Sequence, residues 1–202
     1  MKILLEEKNK RFFDKFAKNY DRGIFKKYNE KRNKKIISNV NVQNNSKILD
    51  AGCGTGEVLR ILSEIHKNKI LKLYGIDVSK NMLQVAKNKL KDKAKLKLIS
   101  VEKANFKNKS FDYIFSEDAF HHYFDYSLTM KNIYRMLKKN GKLIVADIDF
   151  GFIGNKIFHF LEPGNNKMHS KEEFKKLFQK YNFKSIKQIK LGWFHILTIG
   201  EK

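Results

Sequence analysis

The sequence predicts a doubly wound α/β fold, and three observations predict it. Apolar runs of strand length alternate with helical patterns from Lys47 to the C-terminus, which implies a parallel sheet with helices on both faces. Gly52, Gly54 and Gly56 follow the first strand, where such a sheet turns into its first helix. The 202 residues are 42% apolar and 13% aromatic, enough for one core, and no repeat or Pro/Gly/Ser linker divides them. The expected organisation is a helical lid over residues 1–40 and a single domain over 41–202.

Each element has its own signal. Phe12, Phe13, Phe16 and Tyr20 fall at helical spacing and predict an amphipathic N-terminal helix. A second helix is expected from Phe25 to Ile37, before the Asn-rich stretch Asn39–Ser46 breaks the pattern. Strand Lys47–Ala51 leads through the glycines to a helix carrying Val58, Leu59, Leu62 and Ile65. Strand Ile70–Ile76, helix Ser79–Leu90 and strand Lys95–Val101 continue the alternation. Strand Phe111–Ser116, helix Leu128–Leu137 and strand Lys142–Ile148 follow. An aromatic-rich irregular segment comes next, with Phe150, Phe152, Phe158, His159 and Phe160 expected to roof a pocket. Ser170 and Glu173 have capping-box spacing at the start of another helix. Phe183–Leu191 and Trp193–Gly200 close the chain as strands.

Composition narrows the function classes. Cys53 is the sole cysteine, which excludes an internal disulfide framework and a Cys-based zinc site, and no metal is expected. No apolar run approaches the roughly 18–20 residues of a membrane span. The opening MKILLEEKNK acquires charge too early for a signal peptide, so a soluble cytoplasmic protein is expected. The net charge of +22 raises a polyanionic partner. Yet only five of the 43 basic residues are Arg, the residue that reads nucleic acid by bidentate and stacking contacts, and the lysines are spread along the chain. The charge favours solvated helix faces.

The stretch Ile48-Leu49-Asp50-Ala51-Gly52-Cys53-Gly54-Thr55-Gly56 sits where a doubly wound fold binds a nucleotide. Glycines there let backbone approach a ligand because no Cβ intervenes. Asp50 ends the strand beside the turn, where a carboxylate faces a cationic ligand group. Asp77 ends the second strand 21 residues beyond Gly56, close to the spacing of a ribose-binding acid; the competing reading makes it a helix cap before Ser79. G-x-G-x-G replaces the G-x-G-x-x-G of a pyrophosphate site, and no phosphate loop is present. A ribose-binding acid without a pyrophosphate site points to a nucleoside bearing a non-phosphate group.

The runs ILDAGCGTGE, YGIDVSKNML, KSFDYIFSEDAFHH and YRMLKKNGKLIVADI resemble the class I S-adenosylmethionine-dependent methyltransferases. Within them the chain is similar to the subfamily that includes quinone C-methyltransferases and many small-molecule enzymes. The resemblance runs from Phe12 to the C-terminus, and FFDKFAKNYD resembles the lid helix of these enzymes. It implies a Rossmann-like sheet of seven strands, with Trp193–Gly200 as the antiparallel C-terminal strand. It also implies S-adenosylmethionine as cofactor and S-adenosylhomocysteine as product.

The same resemblance implies a site. Asp50, Ala51, Gly52 and Gly54 would wrap the methionine portion, with Asp50 near its ammonium. Asp77 would hold the ribose, and Val78 and Met82 would line the adenine. Ser100 stands where the family usually has Asp, which leaves the adenine contact to Glu102 or to backbone along Ser100-Val101-Glu102. Ser116 would lie beneath the methionine and Tyr20 would close over the cofactor. Lys139-Asn140-Gly141 replaces the Pro-Gly-Gly of many relatives, as a turn before the fifth strand.

His121 and His122 follow the fourth strand, near where the methyl would project, and are the candidate bases. The competing reading has both packing or capping a helix. His159, His169 and His195 show no metal-ligand spacing, and Cys53 reads as a small buried residue. The expected function is methyl transfer to a small-molecule acceptor. RNA or tRNA methylation through the basic surface and an inactive cofactor-binding scaffold are the alternatives, with a nicotinamide oxidoreductase disfavoured by the glycine spacing.

Overall fold

The computed structural model describes residues 2–21, 24–151, 154–155 and 166–202. Two helices, α1 (Lys2–Phe16) and α2 (Ile24–Ser38), precede β1 (Lys47–Ala51). Then come α3 (Glu57–Ile65), β2 (Lys72–Asp77), α4 (Lys80–Leu90), β3 (Ala94–Leu98), β4 (Phe111–Glu117), α5 (Tyr126–Met136) and β5 (Leu137–Ile148). Helix α6 (Lys171–Lys180) and strands β6 (Lys184–Leu191) and β7 (His195–Glu201) complete the chain. The seven strands form one sheet in the order β3-β2-β1-β4-β5-β7-β6. All pairings from β3 to β5 are parallel, and β7 runs antiparallel to both of its neighbours.

Period-2 burial explains the layers. In β1, Ile48 packs into one core with Ile36 and Ile37 of α2, Leu59 of α3 and Leu90 of α4. The next residue, Leu49, packs into the opposite core with Met130 and Ile133 of α5 and Phe174 and Phe178 of α6. Each such fully buried apolar side chain contributes about 1.5–3 kcal/mol. Strand order reverses between β1 and β4, so the carboxyl ends of those strands and β2 diverge and leave a crevice there.

Several element ends differ from the sequence expectation. Tyr20 lies in the turn after α1, because the helix stops at Phe16. Strand β2 begins at Lys72, where Lys72 N donates to Ser46 O, and Val101 belongs to a short 3₁₀ turn beyond β3. Lys139-Asn140-Gly141 is a bulge inside β5: Leu137 pairs with Phe111, and pairing resumes at Lys142 opposite Tyr113. Asn140 takes the left-handed φ of 61° that this bulge requires. The capping box at Ser170 is present, with Glu173 closing it. Phe152, Lys156, Phe158, His159, Phe160 and Pro163 lie outside the described residues. Among those described, no helix is long and apolar enough to cross a membrane, and no group of three His, Cys, Asp or Glu side chains is placed to hold a metal ion.

Candidate active site

A pocket of roughly 910 Å³, open mouth included, sits at the carboxyl ends of β1, β2 and β4. Two glycines shape it. Gly52 has φ +74°, and a Cβ there would stand 2.5 Å from the Cβ of Ala119. Gly54 has φ +48°, and a Cβ there would meet nothing within 4 Å, so its missing side chain is pocket space. The first glycine makes room for protein and the second for a ligand.

Asp50 and Asp77 lie side by side at the ends of β1 and β2, yet their surroundings differ. Asp77 accepts from Gly54 N at 2.8 Å and from Ser79 N at 2.8 Å, and burial pushes its carboxyl up against those bonds. It is not the cap of α4: Ser79 is, its Oγ accepting from Met82 N. Asp50 is 1% exposed, and neither of its oxygens has a hydrogen-bond partner among the described residues. Burial, with Asp77 beside it, pushes Asp50 up to about 8. A buried carboxylate without donors costs free energy unless a cation reaches it. An ammonium ion entering the pocket fits that place.

Val78, Met82, Val101 and Glu102 also line the pocket, with Ser100 and Ile99 between them. Glu102 Oε1 accepts from Phe124 N at 2.9 Å and so ties the loop after β4 to the pocket wall. Segment 6–21 crosses the mouth. Lys103 pairs with Glu6, Asn9 Nδ2 donates to His122 O at 2.8 Å, and Ser79 Oγ donates to Asp14 at 2.6 Å. Thr55 Oγ1 and Lys89 both donate to Asp21. Tyr20, between these anchors, lines the pocket.

Three expected site residues stand off the wall. Ala51 offers its carbonyl to Tyr123 Oη at 2.8 Å, and Ser116 Oγ meets the same hydroxyl at 2.9 Å. Tyr123 therefore covers both and lines the pocket in their place. His121 is 2% exposed, its Nδ1 held 2.5 Å from Asp147 Oδ1, and its ring packs against His122. His122 reaches the pocket and sets its ring edge-on against Phe13 of α1.

Sequence reasoning missed the residues just beyond Ser116. Glu117 and Asp118 line the pocket, and both bond Arg32 of α2. Arg32 Nη1 also lies 2.9 Å from His195 Nε2, which in turn is 3.1 Å from Asp118 Oδ1. The adjacent acids Glu117-Asp118 were visible; their distant partners Arg32 and His195 left no signal in the sequence. The described residues that line the pocket include seven carboxylates and neither Lys nor Arg, in a chain of net charge +22.

This cleft at the switch point, with paired strand-end acids and a glycine turn, matches a known family. A family model described as a methyltransferase domain matches residues 42–199. The chain belongs to that family. It is an S-adenosylmethionine-dependent methyltransferase. It is 32% identical over 179 residues to a demethylmenaquinone methyltransferase of Geobacillus sp. (strain WCH70), covering 82% of this chain and 76% of the relative. Among solved structures, the fold superposes with a TM-score of 0.77 on a Thermotoga maritima methyltransferase described as a possible histamine N-methyltransferase, at 20% identity. That match covers 95% of this chain and 99% of the other. Haemonchus contortus phosphoethanolamine N-methyltransferase 2, solved with S-adenosyl-L-methionine, gives 0.74 at 20% identity, covering 85% of this chain and 52% of that one. These structures share the fold of the methyltransferase described here.

Proposed function

We propose that this methyltransferase transfers the methyl group to a small aromatic acceptor of the hydroquinone type, releases S-adenosylhomocysteine, and works in the cytoplasm. The observation that carries the reading is Asp50, a buried carboxylate without donors beside a glycine that leaves ligand space. Asp50 would hold the cofactor's ammonium, Asp77 its ribose hydroxyls, and Val78, Met82, Val101 and Glu102 its adenine. Gly52 and Gly54 would let the methionine portion lie against backbone, Tyr20 would close over it, and residues 1–40 would act as the lid. When bound, the cofactor supplies a methyl on a positively charged sulfur. The chain's task is then to hold a nucleophile in line and keep water out.

Two features support the acceptor class. Phe13, Tyr20, Tyr123 and Phe124 give the pocket flat apolar surfaces, and the absence of Lys and Arg from its described lining disfavours an anionic acceptor. The relatives named demethylmenaquinone methyltransferase point to a quinone-type ring, which must be reduced before its ring carbon is nucleophilic. The test is transfer of radiolabelled methyl from S-adenosylmethionine to a reduced, short-chain demethylmenaquinol. Labelled quinol with equimolar S-adenosylhomocysteine is expected. Labelled tRNA, with the quinol left bare, would replace this reading by RNA methylation; cofactor binding without turnover on any acceptor would replace it by the scaffold.

A further inference from the structure

The carboxylates of the pocket wall are not equally compensated. Glu6 pairs with Lys103, and Glu57 with Arg60 and Lys89. Asp77 and Glu102 accept backbone N–H groups. Asp50 stands where a cofactor ammonium fits. Glu117 and Asp118 remain, and among the described residues a single guanidinium, Arg32, faces both. With Arg32 shared between these two partly buried carboxylates and His195 on the Asp118 side, Glu117 is left with a place for one more positive charge.

We propose that Glu117 fills that place with a proton taken from the methyl acceptor, and so is the proton acceptor of the reaction. The proposal rests on the hydroquinone reading above. Arg32 grips Glu117 Oε1 through Nε at 3.0 Å and through Nη2, which fixes the carboxyl at the carboxyl end of β4. The neighbour Asp118 is the weaker base. Burial alone would raise it, but Arg32 and His195 outweigh burial and hold it well below the usual carboxylate range. Glu117 faces Asp118 beside it, Arg32 from α2, Asp50 from β1 and Tyr20 from the segment after α1, with His195 of β7 behind Asp118. Burial first, and Asp118 next, push Glu117 up to about 8 despite Arg32. A base near the working pH is the most effective one. The candidate histidines are placed less well: His121 is off the wall and bound to Asp147, and His122 packs against Phe13.

The step balances. The acceptor's O–H bond breaks and its proton goes to the Glu117 carboxylate. The oxygen's electron pair feeds the ring, whose carbon forms the new bond to methyl. The methyl–sulfur bond breaks with its pair left on sulfur. The ring then regains aromaticity: the proton of the attacked carbon passes to solvent, and Glu117 returns its own to the quinol oxygen, so one proton is released per turnover.

Glu117→Gln tests this in three readouts. Calorimetry with S-adenosylmethionine is expected to give an affinity within about twofold of wild type. A loss beyond about tenfold would assign Glu117 to the cofactor's ammonium and overturn the proposal. With demethylmenaquinol, kcat is expected to fall about 10²–10⁴-fold with KM little changed. The fall of kcat toward low pH should vanish, and Glu117→Asp should restore part of the rate. A wild-type profile kept by Glu117→Gln, or lost instead in His122→Asn, overturns the proposal. The third readout needs no acceptor. Carboxyl carbon NMR of the free protein should show two carboxyls titrating near 8, one removed by Glu117→Gln and the other by Asp50→Asn. If Glu117→Gln removes none, the proposal fails even where the quinol reading stands. If the NMR holds and the wild type leaves the quinol bare, the acceptor class is wrong and the proton transfer from it falls, while the raised carboxyl at Glu117 stands.

Discussion

At the ends of β1 and β2, Asp50 and Asp77 meet no side-chain cation among the described residues, whereas at the end of β4 Glu117 and Asp118 close on an arginine from α2. The first end is built from neighbouring strands and a tight turn, and under the proposed reading the ammonium of S-adenosylmethionine would supply its missing positive charge. The second end imports its cation from a distant helix, so its electrostatics depend on how α2 docks against β4 and β7. The difference teaches that one pocket can hold two acidic centres with opposite dependence on the rest of the chain. Removing a ligand should disturb the first, and removing a packing contact the second.

The sharpest way to break the contrast is Arg32→Ala. It leaves the partly buried Glu117 and Asp118 facing each other, and the expected loss of stability is about 2–4 kcal/mol, read by urea unfolding. A loss below about 1 kcal/mol would mean that solvent already screens the pair. Next is Asp50→Asn, which should weaken S-adenosylmethionine about 10–100-fold, since a charged hydrogen bond contributes about 1.5–3 kcal/mol. Unchanged affinity in calorimetry would remove Asp50 from the cofactor site. Gly54→Ala should also reduce affinity, because its Cβ enters open pocket space, with a stability loss of about 1–2 kcal/mol from its left-handed φ of +48°. Gly52→Ala should lower the melting temperature further, because its Cβ also meets Ala119 at 2.5 Å.

The pH dependence is subtler. Asp50 and Glu117 both sit near 8 in the folded chain, above the roughly 4 of an unfolded carboxyl. Between those values the folded state binds more protons than the unfolded one, so stability falls as pH rises. The melting temperature of the ligand-free enzyme should therefore drop from about pH 5 to 8.5, and Asp50→Asn should flatten part of that slope. A melting temperature that rises over the same range would contradict the paired burial of these acids. Trp193→Ala should have the smallest effect, under about 0.5 kcal/mol, because Trp193 is 82% exposed.

Much of the first end was legible in the sequence. Asp50, Gly52, Gly54 and Asp77 are tied together by a single strand-turn-helix unit, so their spacing alone forecasts their meeting. Val78, Met82 and Glu102, at the next two strand ends, came only from the resemblance to the methyltransferases. The misses have a common cause. Tyr123 displaced Ser116 and Ala51 from the wall because its hydroxyl bonds both, a contact set by how the loop after β4 folds back. His121 turned away because Asp147, at the far end of β5, binds its ring.

The sequence by itself determined the layered sheet, the glycine turn, the capping box at Ser170 and the two acids at the ends of β1 and β2. Each of these depends on residues a few positions apart or on the period of burial, and local chain geometry settles such features. Tertiary structure alone decided which carboxylates would be neutralised. Arg32 and Glu117 are 85 residues apart, and Arg32 and His195 are 163 apart. Only the packing of α2 across β4 and β7 brings that one guanidinium to the acids, and so gives Asp118 and Glu117 different affinities for a proton.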